Sequence, residues 1–226
     1  MKKPVLFLPV ILCVVAAILT ACGEESNEGV EPGIVPNDLQ AIEAAAEDII
    51  DFAPSGNWNQ INKDITDIAE AWNSHQPQAS EDGISEELQD TMTSAIKKLQ
   101  TSSAAKDPAA TMQGSNDVSA AVVEMFAVYN PKIPADIGRL DVLERQVILD
   151  VAAKDYAAAI VSLAKTKSVW EKVKPSVLEH DGKDVAAEFE ASLAEQESAL
   201  KAKDGAALTD DAKNGLETVD ALEQLY

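Results

Sequence analysis

The stretch that decides the fold runs from Trp58 to Pro77 and reads WNQINKDITDIAEAWNSHQP. Its large apolar side chains stand three and four residues apart, at Trp58, Ile61, Ile65, Ile68 and Trp72. This spacing is typical of one face of an α-helix, and the residues between them are mostly polar. The stretch therefore predicts an amphipathic helix that ends before Pro77, since proline removes a backbone donor.

A similar arrangement recurs 98 residues later, in the stretch from Tyr156 to Pro175. The matched pairs at this offset include Pro36 with Pro134, Trp58 with Tyr156, Trp72 with Trp170, and Pro77 with Pro175. At an offset of 97, Lys106-Asp107 matches Lys203-Asp204 and Tyr129 matches Tyr226. Because rare residues and prolines agree in order, we predict an internal duplication, with residues 36–129 as copy 1 and 134–226 as copy 2. The alternative is a chance alignment of two alanine-rich helical stretches.

Further apolar stripes at helical spacing predict four helices in each copy. They run from Leu39 to Ala53, Leu88 to Leu99, Val118 to Tyr129, Ile137 to Val151, Val185 to Leu200, and Leu216 to Tyr226. The candidate N-caps are Asn37, Asn57, Ser85, Asp155, Asp184 and Thr209. We expect an all-α fold, a duplicated up-down helical bundle of about eight helices in two four-helix copies. The copies would form either separate bundles or two halves of one core.

The N-terminus has the features of an export signal. Lys2 and Lys3 precede an uncharged apolar run that ends in Leu19-Thr20-Ala21-Cys22. This order resembles the lipobox of bacterial lipoproteins, in which a diacylglyceryl group is attached to the cysteine and the preceding peptide is removed. The resemblance covers residues 1–22 and implies a signal peptide at 1–21, lipidation of Cys22 and an extracytoplasmic chain anchored to a bacterial membrane. The alternative is an uncleaved membrane span.

Residues 22–35 follow as the lipidated cysteine and an acidic flexible tether, because they are rich in Gly, Pro and Glu and lack apolar periodicity. The only other cysteine, Cys13, lies in the segment that would be removed. The exported domain is therefore expected to have no disulfide and no cysteine ligand, and to depend on packing for its stability.

The charge of the chain excludes one class of partner. There are 18 basic and 39 acidic residues, for a formal net charge of -21. Nucleic-acid binding depends on neutralising phosphates with Lys and Arg, so we expect no nucleic-acid partner. The expected partners are the membrane, through the diacylglyceryl cysteine, and an envelope protein or a small solute.

Two sets of residues are candidate binding surfaces. Four aromatic residues, two on the second helix of each copy, are candidates for the walls of a ligand cleft: Trp58, Trp72, Tyr156 and Trp170. Their isoleucine neighbours favour the alternative that they are core residues. Four lysines around Trp170 form the only locally basic region and are candidates for contact with an anionic partner: Lys165, Lys167, Lys172 and Lys174.

No pattern predicts catalysis or a cofactor. The two histidines, His75 and His180, are not equivalent under the repeat, and no metal site or cofactor is expected. The sequence lacks HExxH, GxxxxGK[ST], GxSxG, a complete EF-hand loop and the GxHxxE motif of imelysin-like proteins. We therefore expect a non-catalytic binding or scaffold domain on a membrane-anchored lipoprotein. The alternative is a solute- or metal-binding component of an uptake system, using the groove between the copies, and an enzyme is the third candidate.

Overall fold

The computed structural model describes residues 33–226, in which eight α-helices account for the regular structure and no strand occurs. The helices are α1 (Asn37–Phe52), α2 (Trp58–Ala79), α3 (Glu86–Ala104), α4 (Pro108–Phe126), α5 (Ala135–Ala152), α6 (Tyr156–Glu179), α7 (Lys183–Ala202) and α8 (Gly205–Glu223). Short 3-10 turns follow α1 and α4, at Ala53–Ser55 and Ala127–Tyr129. The all-α fold with eight helices is confirmed.

Four helices begin with a side-chain cap. The capping side chain accepts a hydrogen bond from the backbone N–H three residues later, at 2.9 to 3.3 Å, in Ser85, Asp107, Asp155 and Asp204. Asn57 also holds an N-cap position, without a side-chain hydrogen bond. The other predicted caps are wrong, because the chain enters the helix earlier and leaves them inside it: Asn37, Asp184 and Thr209.

Proline does not end α2 or α6. The helices run past Pro77 and Pro175 to Ala79 and Glu179, so the predicted stops are wrong. A proline this near the end of a helix forfeits one hydrogen bond within the helix. Ala79 and Val177 are fully buried in their cores, and this packing keeps the last turn helical.

The starts of α4 and α8 lie well before the apolar stripes that predicted them, at Pro108 and Gly205. Their first turns contain small residues, which carry little apolar periodicity but permit close helix packing. A Cβ added at Gly114 of α4 would lie 3.0 Å from Cα of Leu99 in α3. Apolar stripes therefore do not reveal these small residues, although they pack against other helices.

The helices pack in the same order in both halves of the chain. In residues 33–129, α1 packs between α2 and α4, and α3 packs on α4. In residues 134–226, α5 packs between α6 and α8, and α7 packs on α8. Each group of four helices encloses its own apolar core. The groups meet where α4 packs against α5.

Matched positions of the two groups also share backbone details. Pro36 and Pro134 hold the N-cap positions of α1 and α5, both with φ of -54°. Lys106 and Lys203 have φ of 52° and 55°, one residue before the aspartate caps of α4 and α8. These parallels agree with the paired residues of the two sequence copies. Duplication of an ancestral four-helix unit stays a prediction.

The folded region begins before Pro36. The backbone N–H of Gly33 donates to the carbonyl of Tyr129 at 2.7 Å, and Val35 is buried in the first core. Residues 33–35 belong to the segment predicted as the tether. The predicted signal peptide, Cys22 and the tether up to residue 32 lie outside the described residues. Within residues 33–226, no helix is both long enough and apolar enough to cross a bilayer.

Candidate binding cleft

A cleft of about 410 Å³ lies at the junction of the two four-helix groups. Residues of α1 and α8 line its two sides, and residues of α4 and α5 lie between them. The α4–α5 contact is close, because a Cβ added at Gly138 of α5 would lie 3.1 Å from Cγ2 of Val123 in α4. The connecting segment 131–134 and Gly33, the first described residue, complete the lining.

Acidic side chains from three helices converge in this cleft. Glu43 and Glu47 stand one turn apart on α1, and Asp141 faces them from α5. One carboxylate oxygen from each of these three residues lies within 4.8 Å of the other two. Asp220 and Glu223 of α8 also line the cleft. We call Glu43, Glu47 and Asp141 the carboxylate triad.

Arg145 of α5 is the cation that the structure places against the carboxylate triad. Its Nη2 lies 2.5 Å from Oε1 of Glu47 and 2.5 Å from Oδ2 of Asp141. The Arg145 side chain is 14% exposed, and its buried Nη1 has no hydrogen-bond partner among the described residues. The Glu43 Oε2 atom is also buried without a hydrogen-bond partner among the described residues. Arg145 therefore contacts Glu47 and Asp141 directly, whereas it acts on Glu43 only through its charge.

Burial and mutual repulsion raise the pKa values in the cleft. Burial, with the neighbouring Glu47 charge, raises the pKa of Glu43 to about 8. Burial raises the pKa of Asp141 to about 7 although Arg145 acts in the opposite direction. The pKa of Glu223 is also raised, first by burial and then by Glu47 and Asp220. The cleft therefore holds protons near neutral pH and has an affinity for additional positive charge.

A further carboxyl group is buried within the second helix group. Glu144 of α5 is fully buried, and Nε2 of Gln196 donates to its Oε2 at 2.8 Å. Its Oε1 has no partner among the described residues. Gly215 of α8 makes room for this carboxyl, because a Cβ there would lie 2.8 Å from Cδ of Glu144. Burial raises the pKa of Glu144 to about 8, so it is largely protonated at neutral pH.

The four aromatic candidates lie in or against the two cores. Trp72 and Trp170 are 3% and 1% exposed, and their indole N–H groups donate to Thr93 at 3.1 Å and Glu190 at 3.3 Å. Trp58 is partly buried against the first core. The hydroxyl of the partly buried Tyr156 donates to the carbonyl of Lys203 at 3.4 Å. This burial favours the core interpretation for Trp72 and Trp170, which expose almost no ring surface.

The four lysine candidates do not share one surface. Lys165 and Lys172 line a groove of about 340 Å³ between α4, α5 and α6. Lys167 and Lys174 point toward α7, where they pair with Glu197 at 3.3 Å and with Glu190. Residues two apart on a helix differ by about 200° in direction, and this geometry separates the two pairs.

The two histidines lie in different helix groups. His75 is 5% exposed, and its Nε2 lies 3.2 Å from the hydroxyl of Tyr129, which donates to Asp82 at 2.5 Å. Burial lowers the pKa of His75 and favours the neutral ring. The exposed His180 packs against Tyr226, with ring centroids 4.4 Å apart. Both histidines therefore serve packing and hydrogen bonding at the helix ends.

The residues of the cleft were not among the sequence candidates. Acidic residues are abundant in this chain, so no single one of them stood out. The arginines were the one sequence feature that could have indicated this junction. The chain has only two, Arg139 and Arg145, and both lie on α5. Each pairs with a carboxylate of the first helix group, Arg139 with Glu124 at 2.7 Å and Arg145 with Glu47.

Comparisons with known proteins identify no relative. No protein-family model, curated protein or solved structure matches this chain. The chemistry of the cleft is therefore the guide to what it binds: an acidic, partly buried recess between two helix groups with one internal arginine.

Proposed function

We propose that this chain is a membrane-anchored extracytoplasmic lipoprotein whose helical domain is a non-catalytic binding module. The observation that carries the binding role is the acidic cleft at the junction of the helix groups. Its carboxylates come from α1, α5 and α8, and two of them have pKa values raised to about 7 and 8. Such a concentration of acidic groups with raised pKa values at one concave site is typical of a ligand site.

The anchoring part of the proposal rests on the order of features in residues 1–22, from the basic start to Cys22. The described part of the chain starts at the cleft, since Gly33 is among the lining residues. A tether attached there would hold the cleft near the membrane surface.

The anchoring is tested by fractionation of cells that express the full chain and the Cys22→Ala variant. We expect the unaltered chain in the membrane fraction and the variant released from it. Globomycin should block processing of the unaltered chain. An uncleaved N-terminus in the unaltered chain, together with unchanged membrane association of the variant, would refute the lipoprotein assignment.

A second candidate function is a solute- or metal-binding component of an uptake system. The observation that favours it is again the carboxylate triad, whose oxygens lie within 4.8 Å of one another. Equilibrium dialysis of the purified chain against a panel of metal ions and solutes, followed by elemental analysis, tests this function. An uptake component would retain one ligand in stoichiometric amount, whereas a scaffold domain would retain none.

A further inference from the structure

We infer that the carboxylate triad of Glu43, Glu47 and Asp141 binds one hard divalent cation of the Ca²⁺ type, and that Arg145 is the internal counterion that the metal displaces. This inference rests on the proposed binding role of the cleft and names the class of its ligand.

The first support is the geometry of the donors. The three carboxylate oxygens lie within 4.8 Å of one another. Ca²⁺ binds oxygen ligands at about 2.3–2.6 Å, so two ligands of one ion are separated by at most about 5 Å. The triad therefore surrounds a space of the right size, part of which the guanidinium of Arg145 occupies. All three donors are carboxylates, which suit Ca²⁺, Mg²⁺ and Mn²⁺ better than soft metals.

The second support is the incomplete role of Arg145. A single nitrogen, Nη2, contacts both Glu47 and Asp141 at 2.5 Å. It occupies the position of a cation toward these two carboxylates. Among the described residues, the buried Oε2 atom of Glu43 and the buried Nη1 atom of Arg145 have no hydrogen-bond partner. A buried polar atom without a partner is costly, and a bound ion is one way to satisfy it. A divalent cation would satisfy Glu43 and also replace Arg145 at the other two.

The third support is the charge of the surrounding groups on every element that faces the triad. Asp220 and Glu223 of α8 add two carboxylates, while Lys132 of the connecting segment is the only lysine in the lining. Ser119 of α4 supplies a buried hydroxyl beside Glu43. Five carboxylates thus face two basic side chains, Arg145 and Lys132, and the excess of negative charge favours a doubly charged ligand.

The donors also indicate which divalent cation is preferred. Glu43 and Glu47 stand one turn apart on a single helix, so their spacing is restrained by α1. Mg²⁺ requires nearly ideal octahedral geometry at about 2.0–2.1 Å, whereas Ca²⁺ accepts irregular arrangements and more ligands. We therefore expect Ca²⁺ to bind more tightly than Mg²⁺, with a Kd on the order of 10⁻⁴ M.

The test is isothermal titration calorimetry of the full chain in a non-ionic detergent, after treatment with EDTA and removal of the chelator. Ca²⁺ is titrated at pH 7.5. We expect a saturable heat that corresponds to one Ca²⁺ per chain. The Glu43→Gln and Asp141→Asn variants, which remove buried charge and should remain folded by circular dichroism, should each bind at least about tenfold more weakly.

The matched control is the double variant Glu86→Gln/Glu87→Gln. These residues line a separate acidic groove between α3 and α4, which is open and has no unpartnered buried carboxylate oxygen. Their removal should leave Ca²⁺ affinity unchanged within twofold. The Arg145→Met variant should bind Ca²⁺ several-fold more tightly, because the competing internal cation is gone. A merely structural role for Arg145 would produce the opposite change.

Several results would overturn the inference. One is the absence of a saturable heat up to 1 mM Ca²⁺. The others are an equal loss of affinity in the Glu86→Gln/Glu87→Gln control and an unchanged affinity in Glu43→Gln. If Ca²⁺ binding fails while membrane association still depends on Cys22, the cation site is refuted and the anchored module stands. If Ca²⁺ binds while association is independent of Cys22, the anchoring is refuted and the cation site stands.

Discussion

Replacement of the buried carboxyl at Glu144 by an amide should make the protein more stable at neutral and alkaline pH. Glu144 is fully buried in α5, and among the described residues its single hydrogen bond is from Gln196 at 2.8 Å. The Glu144→Gln side chain has nearly the same shape and keeps an acceptor for Gln196. It also resembles the protonated carboxyl that the buried site prefers. The substitution therefore removes the option to ionise without a change in packing.

The magnitude follows from the pKa of Glu144, which burial raises from 4.5 to about 8. A carboxyl with a raised folded pKa is neutral in the folded state at a pH where the unfolded chain is already ionised. Stability is therefore highest below pH 4.5 for this group and decreases as the pH rises toward 8. At about 1.4 kcal/mol per pKa unit, the loss is at most about 3 kcal/mol at pH 7 and about 5 kcal/mol above pH 8.

The assay is urea unfolding followed by circular dichroism, at pH 5, 7 and 9, of the unaltered chain and the Glu144→Gln variant. We expect similar free energies of unfolding at pH 5 and a clear gain for the variant at pH 9. The control is Glu188→Gln on α7, which removes one exposed carboxylate. Its difference from the unaltered chain should stay within about 0.5 kcal/mol at each pH.

Parallel pH profiles for the unaltered chain and Glu144→Gln would refute this reasoning. Such a result would mean that Glu144 ionises in the folded state without cost. Glu43 and Asp141 also have raised pKa values, so the unaltered chain should lose stability with pH from these groups too. The difference between the two chains isolates the contribution of Glu144, apart from its interaction with Asp141.

Two other substitutions test the packing between helices. Arg145→Met leaves Glu47 and Asp141 without their cation and should lower the free energy of unfolding by about 3 kcal/mol without added metal; an unchanged urea midpoint at pH 8 would contradict the pairing at 2.5 Å. Gly114→Ala should destabilise by about 1–3 kcal/mol, because its Cβ would meet the Leu99 backbone at 3.0 Å. On an exposed helix the same change would stabilise by about 1 kcal/mol, so the sign of the shift in thermal midpoint decides whether the α3–α4 contact is this close.

The helices could be predicted from the sequence where their apolar residues are large. The spacing of Trp58, Ile61, Ile65, Ile68 and Trp72 is a local signal, since it depends only on the periodicity of one helix. The prediction was wrong at Pro77, where the buried Ala79 extends the helix by two further residues. It also missed the first turns of α4, where close contacts such as that of Gly114 with Leu99 replace large apolar side chains. In both cases packing with another helix decided the boundary.

The candidate site was harder to predict than the fold. The lysines around Trp170 are close in sequence, yet helical geometry directs Lys165 and Lys167 toward different neighbours. The carboxylate triad joins residues 43 and 47 with residue 141, which lie far apart in sequence. No sequence pattern distinguishes these three among 39 acidic residues. Their common feature is burial, and burial is known only after the helices are assembled.

The sequence by itself determined the all-α class, the number of helices and the excess of negative charge. These are properties of composition and of local periodicity, because each helix forms its hydrogen bonds within a few residues of chain. Only the tertiary structure decided which carboxylates meet in the cleft, which are buried, and where Arg145 stands among them. The reason is that electrostatic interactions and desolvation depend on distance and exposure in space. Packing of α4 against α5 brings the two helix groups together. It thereby produces both the short distances between the carboxylates and their burial.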